Sequence, residues 1–154
     1  MDIFHVHIPM ALKSKSNYSY SAATKNRHKE LKAYEQTVTL LSLAALPEDW
    51  PLGDEHDPVT QRPQVLLGIV GINSGYDSAN FTKSIADGLE GVLYWNDKSA
   101  VDTVTRSITV EGTDPSHDII AIALPADATV EQRNEALMEM TRRINSVTSD
   151  ATGS

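Results

Sequence analysis

From Val65 to Ile72 the chain is almost continuously apolar, reading Val-Leu-Leu-Gly-Ile-Val-Gly-Ile between Pro63 and the breaker Asn73-Ser74-Gly75. A strand sends successive side chains to opposite faces, so a strand-length run without alternation needs apolar cover on both sides. This one segment therefore asks for a sheet with further elements packed on each face. It is also the longest apolar run in the sequence, and it is far too short to span a bilayer.

The flanking segments supply such elements. Phe4-His5-Val6-His7-Ile8 alternates apolar and polar residues up to Pro9 and predicts a first strand. Residues 10–28 are rich in Ser, Asn, Lys and Tyr without a regular period, which predicts a long basic loop. Leu31, Tyr34, Val38 and Leu41 then recur at helical spacing and predict a helix over 29–45. An acidic, proline-punctuated connection occupies 47–63. Phe81, Ile85 and Leu89 mark one face of a helix ending at Gly91. Strands are predicted from Val101 to Val110 and from Ile119 to Leu124. Thr129-Val130-Glu131-Gln132 has the form of a capping box opening a last helix. The polar stretch 146–154 predicts a flexible tail. The order βαβαββα gives a single α/β (α+β) domain over 1–145, with a mixed sheet and helices packed on it.

Its 154 residues suit one domain with a sizeable core. The sequence contains no cysteine, which excludes disulfides, thiolate zinc sites and cysteine nucleophiles. No basic n-region and no long apolar stretch follow Met1, so a cytoplasmic protein without membrane attachment is expected. The net charge of -8 argues against a nucleic-acid partner until its distribution is considered. Residues 1–32 carry six basic and two acidic side chains, +4, whereas the rest carry seven basic and nineteen acidic, -12. Tyr18 and Tyr20 are interleaved with Lys13, Lys15, Lys25 and Arg27, and these six residues are the DNA-contact candidates. A flexible basic and aromatic loop can follow a phosphate backbone.

The chemistry-bearing residues concentrate in 76–101. Asp77 stands at or just before a helix start, where open backbone N–H groups and the helix dipole favour a carboxylate. Lys83 follows on the first turns, with a side chain leaning back towards the N-terminus, and it forms an i, i+4 pair with Asp87. Asp97 precedes the next strand. If that strand pairs beside the first, Asp77 and Asp97 meet at one end of the sheet. Carboxylates that hold Mg²⁺, with a lysine at the scissile phosphate, suit phosphodiester hydrolysis. Taken alone, the same residues also suit a helix cap and a surface lysine.

The pattern Asp77-x-x-Asn80-x-x-Lys83-x-x-x-Asp87-x-Leu89-x-Gly91-Val92-Leu93-x-x-Asn96-Asp97-x-x-x-Val101 resembles the signature of RusA-type Holliday junction resolvases. That family's motif runs Asp-x-Asp-Asn-x-x-Lys, then Asp-x-Leu, Gly-Val-Leu and an Asp-Asp pair before a strand. The resemblance spans about residues 3 to 124 and is most specific over 77 to 101. It implies a homodimeric, Mg²⁺-dependent (or Mn²⁺-dependent) endonuclease that resolves four-way DNA junctions in recombination and repair. It also implies that Asp77 and Asp97 are metal ligands, that Lys83 is the catalytic lysine, and that Asn80, Asp87 and Asn96 give support. Two positions depart from the pattern: Ala79 replaces the second aspartate and Asn96 the first of the pair. Asn96 keeps a carbonyl oxygen, but Ala79 removes one ligand and one negative charge. Ala79 reads either as natural to a degenerate member or as a deliberate Asp→Ala substitution. The alternatives to the nuclease are a non-catalytic branched-DNA binder and an acidic protein-interaction module.

Of the five histidines, His5 and His7 share one strand face, with no cysteine or carboxylate pair nearby in sequence. They read as ordinary half-buried strand residues. Trp50 and Trp95 read as packing residues.

Overall fold

The computed structural model describes residues 1–11, 22–74 and 78–153, with the side chains of 22–28 and 78–81 outside that description. Its elements are β1 (Asp2–Ile8), α1 (Ala22–Ala45), β2 (Gln64–Ile72), α2 (Ser78–Gly88), β3 (Ala100–Ile108), β4 (Ser116–Leu124) and α3 (Val130–Thr152). They form the single mixed-sheet domain that the patterning predicts. The sheet order is β1-β4-β2-β3, with β4 antiparallel to both β1 and β2, and β3 parallel to β2.

The unalternating run takes the place its composition requires. β2 is central, and every residue from Val65 to Ile72 is buried. On one face, α1 and α2 bring Leu31, Tyr34, Val38 and Ile85, with Leu89 just past the end of α2, against Phe4, Val6, Leu67, Ile69 and Ile119. On the other, Ala136, Met140 and Ile144 of α3 cover Leu66, Val70, Ile120 and Ile122. Fully burying an aliphatic side chain of this size contributes about 1.5–3 kcal/mol, so both layers stabilise the sheet. Gly68 sets how closely α3 approaches. A Cβ there would lie 2.3 Å from Met140 Sδ and 3.3 Å from Ile144 Cδ1.

Several boundaries differ from the sequence expectation: α2 ends at Gly88 rather than Gly91, β3 runs from Ala100 to Ile108 rather than from Val101 to Val110, and three others differ for identifiable reasons. α1 begins at Ala22, so Lys25 and Arg27 stand on helical backbone within the segment expected to be loop. Residues 22–28 hold no apolar side chain larger than alanine, and periodicity is blind to such a start. β4 begins at Ser116, three residues early, because its polar opening Ser116-His117-Asp118 is buried among specific partners. α3 continues to Thr152, where a tail was expected from Ser146. Val147 packs against the α3-side core, Thr148 and Thr152 bond back to the carbonyls of Ile144 and Thr148, and Gly153 closes the helix at φ 72°. The predicted capping box is present, with Thr129 and Gln132 bonded reciprocally.

Trp50, in the acidic connection, is buried edge-on to Phe4 and donates to the Leu93 carbonyl at 3.0 Å. Among the described residues, no helix is long and apolar enough to cross a membrane.

Candidate metal centre

The segment after α2 is held rigidly, and that rigidity places Asp97. Gly91 turns the chain at φ 80° and its N–H donates to the Tyr94 carbonyl at 2.7 Å. The buried Tyr94 hydroxyl donates to the Ala86 carbonyl at 2.6 Å, tying the segment to α2. Burial pushes the Tyr94 phenol far above its ordinary value, with Glu90, Asp97 and Asp87 acting in the same direction, so it remains a donor. Asn96 then caps a 3₁₀ turn over Asp97–Ser99, its side chain accepting from the Lys98 N–H at 2.9 Å.

Lys83 reaches across from α2. Its Nζ lies 2.6 Å from Asp97 Oδ2 and 3.2 Å from Asp87 Oδ1. The hydrogen bonds to Asp97 and then to Asp87 raise the Lys83 pKa, so the side chain is an ammonium. Glu90, one turn beyond Asp87, accepts from the Asp97 N–H at 3.3 Å. Asp87, Glu90 and Asp97 each offer a carboxylate oxygen, and these oxygens lie within 4.8 Å of one another. Such a cluster can hold a metal ion, and its all-oxygen donor set suits a hard divalent cation. Beside it opens a cleft of about 250 Å³ lined by Thr82, Lys83, Ala86, Asp97, Ala100 and Thr103.

Sequence reasoning and structure meet at Lys83, Asp87 and Asp97. Asp77 lies outside the described residues, and Ala79 and Asn80 occupy the first turn of α2 with side chains outside the description. The β2–β3 pairing does not by itself bring Asp77 and Asp97 to one end of the sheet. The strands are parallel, so Ile72 lies opposite Ile108, whereas Asp97 precedes the other end of β3. It is α2 that returns the chain towards Asp97 and carries Lys83 and Asp87, with Glu90 two residues past its end. Glu90 was missed in the sequence, although its i, i+3 spacing from Asp87 was a usable signal. Asn96 spends its side-chain oxygen on the turn beneath Asp97.

Lys13, Lys15, Tyr18 and Tyr20 lie outside the described residues, as do the side chains of Lys25 and Arg27. The stem of that basic segment is fixed by a buried network. His117 Nδ1 donates to the Met10 carbonyl at 2.8 Å, which leaves Nε2 to accept from the Tyr34 hydroxyl, also at 2.8 Å.

No protein-family model matches the sequence, and no curated protein matches it.

Proposed function

We propose that this protein is a cytoplasmic Mg²⁺- or Mn²⁺-dependent endonuclease of the RusA type, acting as a homodimer on four-way DNA junctions. The observation that carries the proposal is the 2.6 Å contact of Lys83 with Asp97, set beside three clustered carboxylates and an open cleft. The bound cation would activate a water and offset charge in the in-line transition state. Asp97, Asp87 and Glu90 would hold it, together with Asp77 as the resemblance implies. Lys83, held as an ammonium at the rim, supplies positive charge at a scissile phosphate rather than a base. The basic and aromatic residues of 13–27 would follow the phosphate backbone and offset the acidity of the remaining surface. A two-fold enzyme also suits a two-fold junction, with one site for each cleaved strand.

Ala79 favours a second reading, a branched-DNA binder without cleavage, because a methyl group cannot ligate a cation. Cleavage of a synthetic four-way junction, with and without millimolar Mg²⁺ or Mn²⁺, separates the two. Metal-dependent nicking by this chain supports the nuclease. Binding without nicking, unchanged in Ala79→Asp, supports the binder.

A further inference from the structure

The outer face of α1 carries a surface that the candidate metal centre does not use. From Gln36 to Pro47 the chain reads Gln-Thr-Val-Thr-Leu-Leu-Ser-Leu-Ala-Ala-Leu-Pro without a charged residue, in a protein of which 22% is charged. One side of this stretch is accounted for, because Val38 is buried and Leu41 and Leu46 pack against the core. The other side faces outward. Leu40 is 67% exposed and Leu43 49%, and Ala33, Gln36 and Ala44 are exposed beside them at helical spacing. The solvent face of a helix is normally charged, so an uncharged one with two large apolar side chains marks a contact surface.

The two ends of α1 indicate which partner fits. Residues 22–32 carry four basic side chains and one acidic, +3, at the helix end whose dipole is already positive. The first turn holds no acidic residue and the last turn no basic one. Just beyond the negative end stand Glu48 and Asp49, both exposed. Each end of the helix therefore repeats the sign of its own dipole. A second α1 laid antiparallel reverses this, setting its basic end beside Glu48 and Asp49 and its acidic end beside Lys29 and Lys32. Leu40 stands midway between Lys32 and Glu48. The pairing that matches the charges thus also brings the most exposed leucine of the face opposite its own copy.

We propose that the outer face of α1 binds a second copy of this chain, α1 against α1, antiparallel about a two-fold axis at Leu40. This gives the homodimer of the nuclease reading its interface, and it rests on that reading only for the two-fold stoichiometry. In this register Gln36 lies level with Ala44 and Ala33 with Pro47, and the two alanines let the helices approach closely. Lys32 and Glu48 each lie about 12 Å along the helix from Leu40. A shallow crossing of about 20° therefore keeps the charged ends within reach, whereas a steep one separates them. Beside Leu40, α1 and α2 frame a groove of about 490 Å³ lined by Lys32, Gln36, Thr39, Asp87 and Gly88. Leu43 emerges on the groove side of Leu40, so the two-fold axis directs the Leu43 of each copy to the groove of the other. The contact is self-complementary and closes at two subunits.

The absence of cysteine from the sequence makes a direct test available. Under mild oxidation the full-length Leu40→Cys variant can form a disulfide only between copies, and it does so only if the two Cβ atoms come within about 4.5 Å. It should cross-link rapidly to a dimer, whereas Met138→Cys, on α3 and 74% exposed, should not. In sedimentation, the Leu40→Glu/Leu43→Glu variant should dimerise about 100-fold more weakly than the unsubstituted chain, since it puts charge at two apolar anchors. Both leucines are exposed, so the variants are expected to fold, and circular dichroism checks that they do. Equal cross-linking at positions 40 and 138, or a folded double variant that dimerises as tightly as the unsubstituted chain, would overturn the α1 interface and leave the homodimer to another surface. An unsubstituted chain that stays monomeric at about 100 μM would overturn interface and homodimer together. Metal-dependent junction cleavage, measured separately, tests the nuclease chemistry and is blind to which surface pairs.

Discussion

Lys83 on α2 meets Asp97, fourteen residues later and ahead of β3, with Nζ 2.6 Å from Oδ2. This pair joins the two elements of the β2–α2–β3 unit that carry the candidate chemistry, and it leaves Lys83 at the edge of an open cleft.

The pair serves the site more than the fold. The Lys83 side chain is 55% exposed and Asp97 30%, and a solvated ion pair of this kind contributes about 0–1 kcal/mol. Lys83→Met should therefore shift urea denaturation very little. In an Ala79→Asp background, the same change should slow junction cleavage about 100-fold or more, the usual scale for removing one charge-stabilising group. Parallel denaturation and single-turnover cleavage measure both. A large stability loss with unaltered cleavage would assign Lys83 to the fold.

His117 makes stability depend on pH. Burial is the main cause that lowers its pKa to about 4, although the hydrogen bond to Met10 and the Asp118 charge pull the other way. In the unfolded chain a histidine titrates near 6.5, so between pH 6.5 and 4 the unfolded state binds a proton that the folded state does not. Stability is thus full above about 6.5 and falls as pH drops through that window, by up to about 3 kcal/mol. Urea denaturation at pH 7, 5.5 and 4.5 should show the fall, and His117→Gln should flatten it. The His117 imidazole resonance should stay still from pH 7 to 5 in the unsubstituted chain; titration near 6.5 would refute the account.

Changing Lys13, Lys15, Lys25 and Arg27 together to Ala should weaken junction binding and flatten its dependence on salt, because fewer counterions are released. Filter binding across about 50–200 mM salt reads both effects. Unchanged affinity and slope would leave the N-terminal charge without a DNA role.

What the sequence made legible followed from local signals. Val65 to Ile72 announced a doubly covered strand, and Thr129 with Gln132 announced the start of α3, because burial on both faces and end-capping act over a few residues. What stayed hidden depended on distant partners. Ser116, His117 and Asp118 look like loop until Ser74, Tyr34, Met10, His5 and His7 satisfy them. The meeting of His5 and His7 with Asp118 requires the β1–β4 register, which no spacing reveals. Lys83, Asp87 and Asp97 stood out by their spacing around one helix and were given roles by the resemblance, while Glu90, an unspecified position of that motif, went unnoticed.

Position 79 offers the most direct test of the central claim. It lies two residues after Asp77, in the first turn of α2, where the resemblance calls for a carboxylate. Cleavage of a synthetic four-way junction should be compared for the unsubstituted chain, Ala79→Asp, and Ala79→Asp with Asp97→Asn, at millimolar Mg²⁺ and Mn²⁺. The account predicts that Ala79→Asp creates or strongly raises metal-dependent cleavage, and that adding Asp97→Asn abolishes it while junction binding persists. A folded, junction-binding Ala79→Asp protein that stays inert with both metals would contradict the nuclease and leave the non-catalytic binder.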